Sequence, residues 1–296
     1  MRITDKMISD RVLNNIQGSI KRIAKLHDQL SSGKMVRYPS DNAVVATRAA
    51  KIESRLRELE QYKGNVDYAQ NILQSYDASL QEVSSVYQRL RELIVQSANG
   101  VLTADQRQAI SKEIQEIKDH LIQIANTQVG TDYVFGGYES NKAPVDEDGN
   151  IVLNPDSAKS RFVNVLGYKI NYGLTVNDVF LTKSGVSVFK LIDMTVNALE
   201  NNDQQMLAKG SLMSLDLLED SVAKSLAQVG ANQKMVEMVS SRIDDLDTFM
   251  NEYISNQIDT DLPKVLTDLS TQQAALTAAL KSAANVLTAT LVDFID

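Results

Sequence analysis

The last stretch of the chain, residues 262–294, has apolar residues at regular helical spacing. The steps between them alternate four and three without a slip, in the row Leu262, Leu266, Leu269, Gln273, Leu276, Leu280, Ala283, Leu287, Thr290 and Phe294. Such a row forms one narrow apolar seam along a helix, and a partner helix must cover it. Asp261 is a candidate N-cap, and Pro263 lies in the first turn, where its missing N–H is harmless. The pattern predicts a coiled-coil helix that begins near residue 262.

The beginning of the chain has a second row with the same spacing: Leu13, Ile16, Ile20, Ile23, His27 and Leu30. Gly33 is a candidate C′ residue of this helix, Pro39 breaks it, and Ser40 or Asp41 can cap the next one. We predict that the two terminal helices pair and that their apolar rows form the assembly seam, consisting of Leu13, Ile16, Ile20, Ile23, Leu30, Leu262, Leu266, Leu269, Leu276, Leu280, Leu287 and Phe294. The flank formed by Val265, Ala279, Val286 and Leu291 is expected to stay free for contacts with neighbouring subunits.

Helical periodicity also dominates two longer arms of the chain. An apolar stripe runs from Val45 to Ile94, and a capping box, Thr103 with Gln106, opens the next helix. Helical spacing returns at Phe189 and continues to Tyr253.

Between these arms, the pattern changes to short alternating runs. The segments 151–153, 162–165 and 168–172 are predicted strands, and Leu166-Gly167 is a candidate hairpin turn. The fold class that follows is mainly α, an elongated bundle of long antiparallel helices and coiled coil formed by both arms, with a small β-rich insertion. We expect a terminal assembly domain (1–42 with 258–296), a long-helix bundle domain (43–130 with 186–257) and an insertion domain (131–185).

Composition supports long helices, because aromatic residues are only 5% of the chain and Gly and Pro are scarce, at 13 and 4. The net charge of −8 argues against a nucleic-acid partner. Charge is also unevenly placed: residues 1–37 have a net charge of +5 and residues 244–296 a net charge of −7. The two ends are therefore expected to attract each other.

Candidate chemistry is sparse. The chain has no cysteine and two histidines, His27 and His120, neither within a metal-binding motif. Ser32-Gly33-Lys34 lacks the remainder of a phosphate loop, and Asp146–Gly149 fits a turn better than a calcium loop. We therefore expect no catalytic residue, no cofactor, no metal and no membrane contact, and we see no cleaved signal peptide at the N-terminus.

Several motifs resemble those of the flagellin superfamily. Gln29–Lys34 followed by Pro39–Ala43 is similar to the N-terminal signature, and Arg91–Gly100 is similar to a second signature. The opening Met1–Thr4 and the run Ala125–Thr127 leading into Tyr133–Gly137 are similar to the hook–filament junction branch of the superfamily. In the second arm, Val229–Asn232 and the segments Leu269–Leu276 and Leu291–Phe294 agree.

This resemblance implies a structural protein of the bacterial flagellum, exported through the flagellar type III apparatus without a cleaved signal. Its implied partners are hook-associated protein 1, flagellin, further copies of itself in a ring, and an export chaperone. Two alternatives stay open from the sequence: a minor flagellin that builds filament, and a cytosolic coiled-coil scaffold.

Overall fold

The computed structural model describes residues 5–98, 102–153, 161–182 and 184–292. Within these ranges long α-helices dominate, accompanied by two small two-stranded sheets, and the predicted mainly α fold class is confirmed. A π-helical segment, Met206–Ser211, leads directly into the sixth helix. The helices are α1 (Asp5–Ser32), α2 (Ala43–Ala98), α3 (Ala104–Ala125), α4 (Val176–Phe180), α5 (Val188–Glu200), α6 (Leu212–Ile258) and α7 (Leu262–Val292).

The chain divides into two compact units. The first unit contains residues 1–58 and 245–296, and the second contains residues 59–244. Helices α2 and α6 therefore each contribute residues to both units. The three-part division expected from the sequence, with its boundaries near residues 42, 130, 185 and 257, stays a prediction.

The core of the second unit is centred on the middle of α2. Its buried residues recur at helical spacing and are at most 1% exposed: Val66, Ala69, Leu73, Tyr76, Leu80, Val83, Tyr87, Leu90 and Ile94. Helix α6 runs antiparallel to α2, because Lys63 contacts Asp244 and Arg91 contacts Glu219, both at 2.7 Å. Helix α3 follows the capping box at Thr103, which is present as predicted, and Lys118 joins it to Asp193 of α5 at 2.8 Å.

Among the described residues between α3 and α4 there are four short strands. Strands β1 (Gln128–Val129) and β2 (Asp132–Tyr133) form one antiparallel pair, and β3 (Phe162–Val165) and β4 (Tyr168–Asn171) form another. The predicted hairpin turn at Leu166-Gly167 is confirmed, with φ angles of 50° and 82° that twist in the sense of the strands. The predicted strand at residues 151–153 is wrong. Ile151 makes one isolated bridge to Val145, and the Val152 side chain is 61% exposed.

A line of aromatic rings joins this region to the helices of the second unit. Tyr76 of α2 contacts Phe135, which contacts Phe180 of α4, which stacks on Phe189 of α5, with centroid separations of 5.3, 5.6 and 5.8 Å. Gly136 follows Phe135 in a tight space, where an added Cβ would lie 3.1 Å from the backbone of Ser140. The Tyr133–Gly137 motif therefore holds a turn closely against the core.

Candidate assembly interface

Helices α1 and α7 of the first unit pack against each other in antiparallel orientation. Main-chain bonds join the segment that follows α1 to the segment that precedes α7: the N–H of Met35 donates to the carbonyl of Ile258 at 2.6 Å, and the N–H of Thr260 donates to the carbonyl of Gly33 at 2.9 Å. Further along the pair, Arg22 donates to the side-chain oxygen of Gln272 at 3.3 Å. The pairing of the terminal helices is thus observed within one chain.

The covered face of each helix is a row with alternating steps of four and three. The buried and half-buried residues that form these rows are Val12, Ile16, Ser19, Ile23, Leu26 and Leu30 on α1, and Val265, Leu269, Gln272, Leu276, Ala279 and Ala283 on α7. Both rows include one polar member: Ser19, to which Arg22 donates at 3.0 Å, and Gln272. These spacings are those of the core positions of a coiled coil.

A second apolar row on each helix is exposed. Leu13 and Ile20 of α1 are 56% and 51% exposed, and Leu266 and Leu280 of α7 are 49% and 50% exposed. Each lies one residue after a covered position (Val12, Ser19, Val265 and Ala279, respectively), at heptad intervals shared with the exposed His27 and Gln273. We call Leu13, Ile20, Leu266 and Leu280 the lateral row.

The four residues of the lateral row share one side of the helix pair. They occupy equivalent heptad positions beside the covered core, and equivalent flanking positions of two antiparallel helices lie on the same side. The large apolar side chains that a partner would cover are therefore gathered on one face. Monomers seldom expose contiguous apolar patches without a partner for them.

The predicted seam residues consequently separate into two groups. Ile16, Ile23, Leu30, Leu269 and Leu276 lie in the covered rows, whereas Leu13, Ile20, Leu262, Leu266 and Leu280 are exposed. The side chain of Leu287 and the whole of Phe294 lie outside the described residues. The expectation that Val265 and Ala279 stay free is wrong, because Val265 is 7% exposed and Ala279 is half-buried in the covered row of α7. The side chains of Val286 and Leu291 lie outside the described residues.

Sequence reasoning missed Val12, Ser19 and Gln272 as covered positions, whereas Leu26 could be recognised as a residue that widens the apolar stripe of the first helix. Val12 gave a usable signal, since it is apolar and precedes a row residue by one position. Ser19 and Gln272 gave none, because a polar residue at a core position lowers the apolar periodicity that identifies the row.

The loop between α1 and α2 is fixed by Asp41. Its carboxylate accepts hydrogen bonds from the N–H groups of Arg37 and Tyr38 and pairs with Lys25 at 3.3 Å. The backbone bond from Tyr38, followed by the contact with Lys25, lowers the pKa of Asp41 below its ordinary value. The expected capping role of Ser40 or Asp41 is wrong, because Asn42 accepts from Val44 and Val45 and caps α2.

The histidines and the Asp146 turn, the other candidate chemical groups, lie in ordinary structural surroundings. His27 is exposed, and His120 lies 3.0 Å from Glu82 on the surface of the second unit. Asp146 accepts bonds from Asp148 and Asn150 in a turn, and the bonds from Asn150 lower its pKa. In the part of the chain that the structure describes, no three His, Cys, Asp or Glu side chains are grouped to hold a metal. None of the described helices has an apolar stretch long enough to cross a lipid bilayer.

Comparison with known proteins shows to which proteins this chain is similar. Residues 3–140 match the family model of the bacterial flagellin N-terminal helical region. This match covers nearly half of the chain, and the resemblance indicated by the sequence motifs is confirmed.

Along nearly its whole length, the chain is similar to Flagellar hook-associated protein 3 of Salmonella typhimurium, with 27% identity covering 95% of this chain and 96% of the relative. It is also similar to the Flagellar filament 30.7 kDa core protein of Treponema maltophilum, with 26% identity over 95% of each chain. The crystal structure of Bacillus cereus FlgL shares the fold, with a TM-score of 0.58 and 23% identity over 69% of this chain and 99% of that one.

Proposed function

We propose that this chain is a structural component of the bacterial flagellum that connects the hook to the filament. The similarity to Flagellar hook-associated protein 3 extends over 95% of the chain, so it includes at least part of both terminal helices, the elements that an assembling subunit would use. In this role the protein performs no catalysis and acts through its surfaces.

The observation that carries the proposal is the lateral row. An isolated subunit exposes four large aliphatic side chains on one face of its terminal helix pair. Burying a Leu or Ile side chain contributes roughly 1.5–3 kcal/mol, so covering this face would favour association with another helix. Hook-associated protein 1, flagellin, an export chaperone and further copies of this chain are the proposed partners, and the flagellum outside the cell is the proposed location.

A minor flagellin is the second candidate function. The observation favouring it is the full-length similarity to a filament core protein at almost the same identity. Deleting the gene separates the two candidates. A junction protein is required for filament attachment while filament monomer is still secreted, whereas loss of a minor flagellin leaves attached filaments of altered composition.

The experiment combines that deletion with analysis of sheared flagella by mass spectrometry. We expect the intact N-terminal peptide of this chain in the sheared fraction at a few copies per filament, and loss of swimming in the deletion strain. A protein that stays in the cytosol would instead support the coiled-coil scaffold and contradict both flagellar candidates.

Variants of α7 test the lateral row directly. Leu280→Asp places a charge on the exposed row and should abolish filament attachment while the helix content stays unchanged. Ala278→Asp is the matched control, because Ala278 is also exposed but lies about 200° around the same helix. Leu276→Asp differs from both, since it places a charge in the covered row and should lower helix content. Normal attachment with Leu280→Asp would remove the lateral row from the assembly contacts.

A further inference from the structure

Helix α6 ends within the first unit on a face with two exposed aromatic rings. Phe249 is 62% exposed and Tyr253 is 39% exposed, with ring centroids 6.4 Å apart. In contrast, Phe135, Phe180 and Phe189 are at most 1% exposed. Large exposed aromatic side chains are typical of the centre of a protein interface.

Carboxylates lie on the same face of α6. Asp245, Phe249 and Glu252 follow each other at steps of four and three, so they lie on one side of the helix. Asp245 and Glu252 are exposed, and neither makes an ion pair within the described part of the chain. We call these three residues, with Tyr253 beside them, the acidic–aromatic row.

Helix α2 has the opposite charge in the same unit. Arg48, Lys51 and Arg55 are exposed and follow each other at steps of three and four. Arg55 pairs locally with Glu58 at 2.5 Å, whereas Arg48 and Lys51 have no ion-pair partner among the residues that the structure describes. These three residues form the basic row.

The two rows match when the helices that carry them run in opposite directions. Reading α6 backwards gives steps of three and four, the same as reading α2 forwards. This alignment places Arg48 opposite Glu252, Arg55 opposite Asp245, and the ammonium group of Lys51 opposite the ring of Phe249. Two ion pairs then flank one cation–π contact.

We propose that the acidic–aromatic row of one copy docks on the basic row of a second copy of this chain. Both surfaces belong to the first unit and both are exposed in the monomer, so the contact joins unlike faces of identical subunits. Such a heterologous contact repeats from copy to copy and closes a ring when the rotation permits. The inference deepens the proposed function, because it rests on the proposal that copies of this chain assemble and names the surfaces that meet.

Cross-linking tests the contact on the purified full-length chain. The chain contains no cysteine, so Lys51→Cys introduces a unique thiol within the basic row and Thr248→Cys introduces one beside the acidic–aromatic row. Both variants keep Arg48, Arg55, Asp245 and Glu252 in place. With a short bismaleimide, the equimolar mixture should give covalent dimer, and each variant alone should give none. No dimer in the mixture, or an equal amount from Thr248→Cys alone, would overturn the inference.

Charge reversal shows whether the dimer depends on the paired rows. Arg48→Glu with Arg55→Glu in the Lys51→Cys chain should reduce dimer yield at least about tenfold, because like charges then face each other. Adding Asp245→Arg with Glu252→Arg to the Thr248→Cys chain should restore the yield to within about twofold. Circular dichroism checks that each variant keeps its helix content. A dimer unaffected by the first reversal, or not restored by the second, contradicts the proposed pairing.

The cross-linking result does not depend on where the protein acts. A deletion strain that still swims, with filaments attached, would refute the junction role even if the dimer forms. Loss of filament attachment together with absence of the dimer would refute the docking contact and leave the junction role standing.

Discussion

The hydroxyl groups of two buried tyrosines of α2 are expected to have opposite effects on the stability of the second unit. The hydroxyl of Tyr76 lies 2.6 Å from the carbonyl oxygen of Val134 and 2.8 Å from that of Leu174, so these two acceptors share its single hydrogen. The hydroxyl of Tyr87 is fully buried and has no hydrogen-bond partner among the described residues. Replacing each tyrosine by phenylalanine removes the same oxygen atom from different surroundings.

The magnitudes follow from the partners that each oxygen loses. Tyr76→Phe leaves the Leu174 carbonyl without this donor, while Val134 keeps a 3.3 Å bond from Arg161. An unsatisfied buried polar group costs about 1–3 kcal/mol, so the free energy of unfolding should fall by that amount. Tyr87→Phe removes a desolvated hydroxyl that gains nothing in return, so the free energy of unfolding should rise by up to about 1 kcal/mol.

Differential scanning calorimetry of the full-length chain measures both effects. For a unit of this size, about 1 kcal/mol corresponds to a shift of about 2–4 °C in Tm. We expect a lower Tm for Tyr76→Phe and an equal or higher Tm for Tyr87→Phe. A Tm lowered equally by both substitutions would refute the reasoning, because it would show that the Tyr87 hydroxyl has a stabilising partner.

Three other predictions follow from local geometry. Burial raises the pKa of Tyr76 to about 12, so its neutral form contributes stability that is complete below pH 10 and is lost between pH 10 and 12. In urea titrations, the free energy of unfolding of Tyr76→Phe should therefore fall less over this pH range than that of the unmodified chain. Gly173→Ala should destabilise the chain strongly, because the added Cβ would clash with the backbone nitrogen of Arg161. Gly64 of α2 faces open space, so Gly64→Ala should raise the free energy of unfolding by about 0.5–1 kcal/mol in the same urea assay. Asn42→Ala should lower the free energy of unfolding by about 1 kcal/mol through loss of the α2 cap, and Asn42→Asp, which keeps an acceptor oxygen, should retain it.

Helix positions and the pairing of the terminal helices could be predicted from the sequence, because long apolar repeats and caps such as Thr103 and Asp261 are local signals. The start of α7 at Leu262 agrees with its cap, where the N–H of Lys264 donates to Asp261 at 3.2 Å. The sequence did not show which of two possible rows of each terminal helix is covered. Ile16, Ile23 and Leu30 belong to both possible rows of α1, so periodicity alone fits either one.

The short β-strands illustrate a different limit. Strands β1 and β2 have two residues each, which is too short for alternation to appear in the sequence. Residues 151–153 have strand-forming side chains, but a strand needs a continuous ladder of bridges to a partner strand, and in this segment only Ile151 makes a β-bridge. The match between the basic row and the acidic–aromatic row could likewise not be predicted from the sequence, because the two rows lie on helices about 200 residues apart along the chain.

The main-chain bonds between Met35 and Ile258 and between Thr260 and Gly33 have a consequence for sequence variation. These bonds use backbone groups, so they do not depend on the side chains of Met35 and Thr260. Homologous chains can therefore have other residues at these positions without separating the segment after α1 from the segment before α7. Proline is the exception at both positions, since it has no N–H to donate. The contact between these two segments therefore excludes only one residue type at the two positions. We expect homologous chains to have many different residues there while the segments stay bonded.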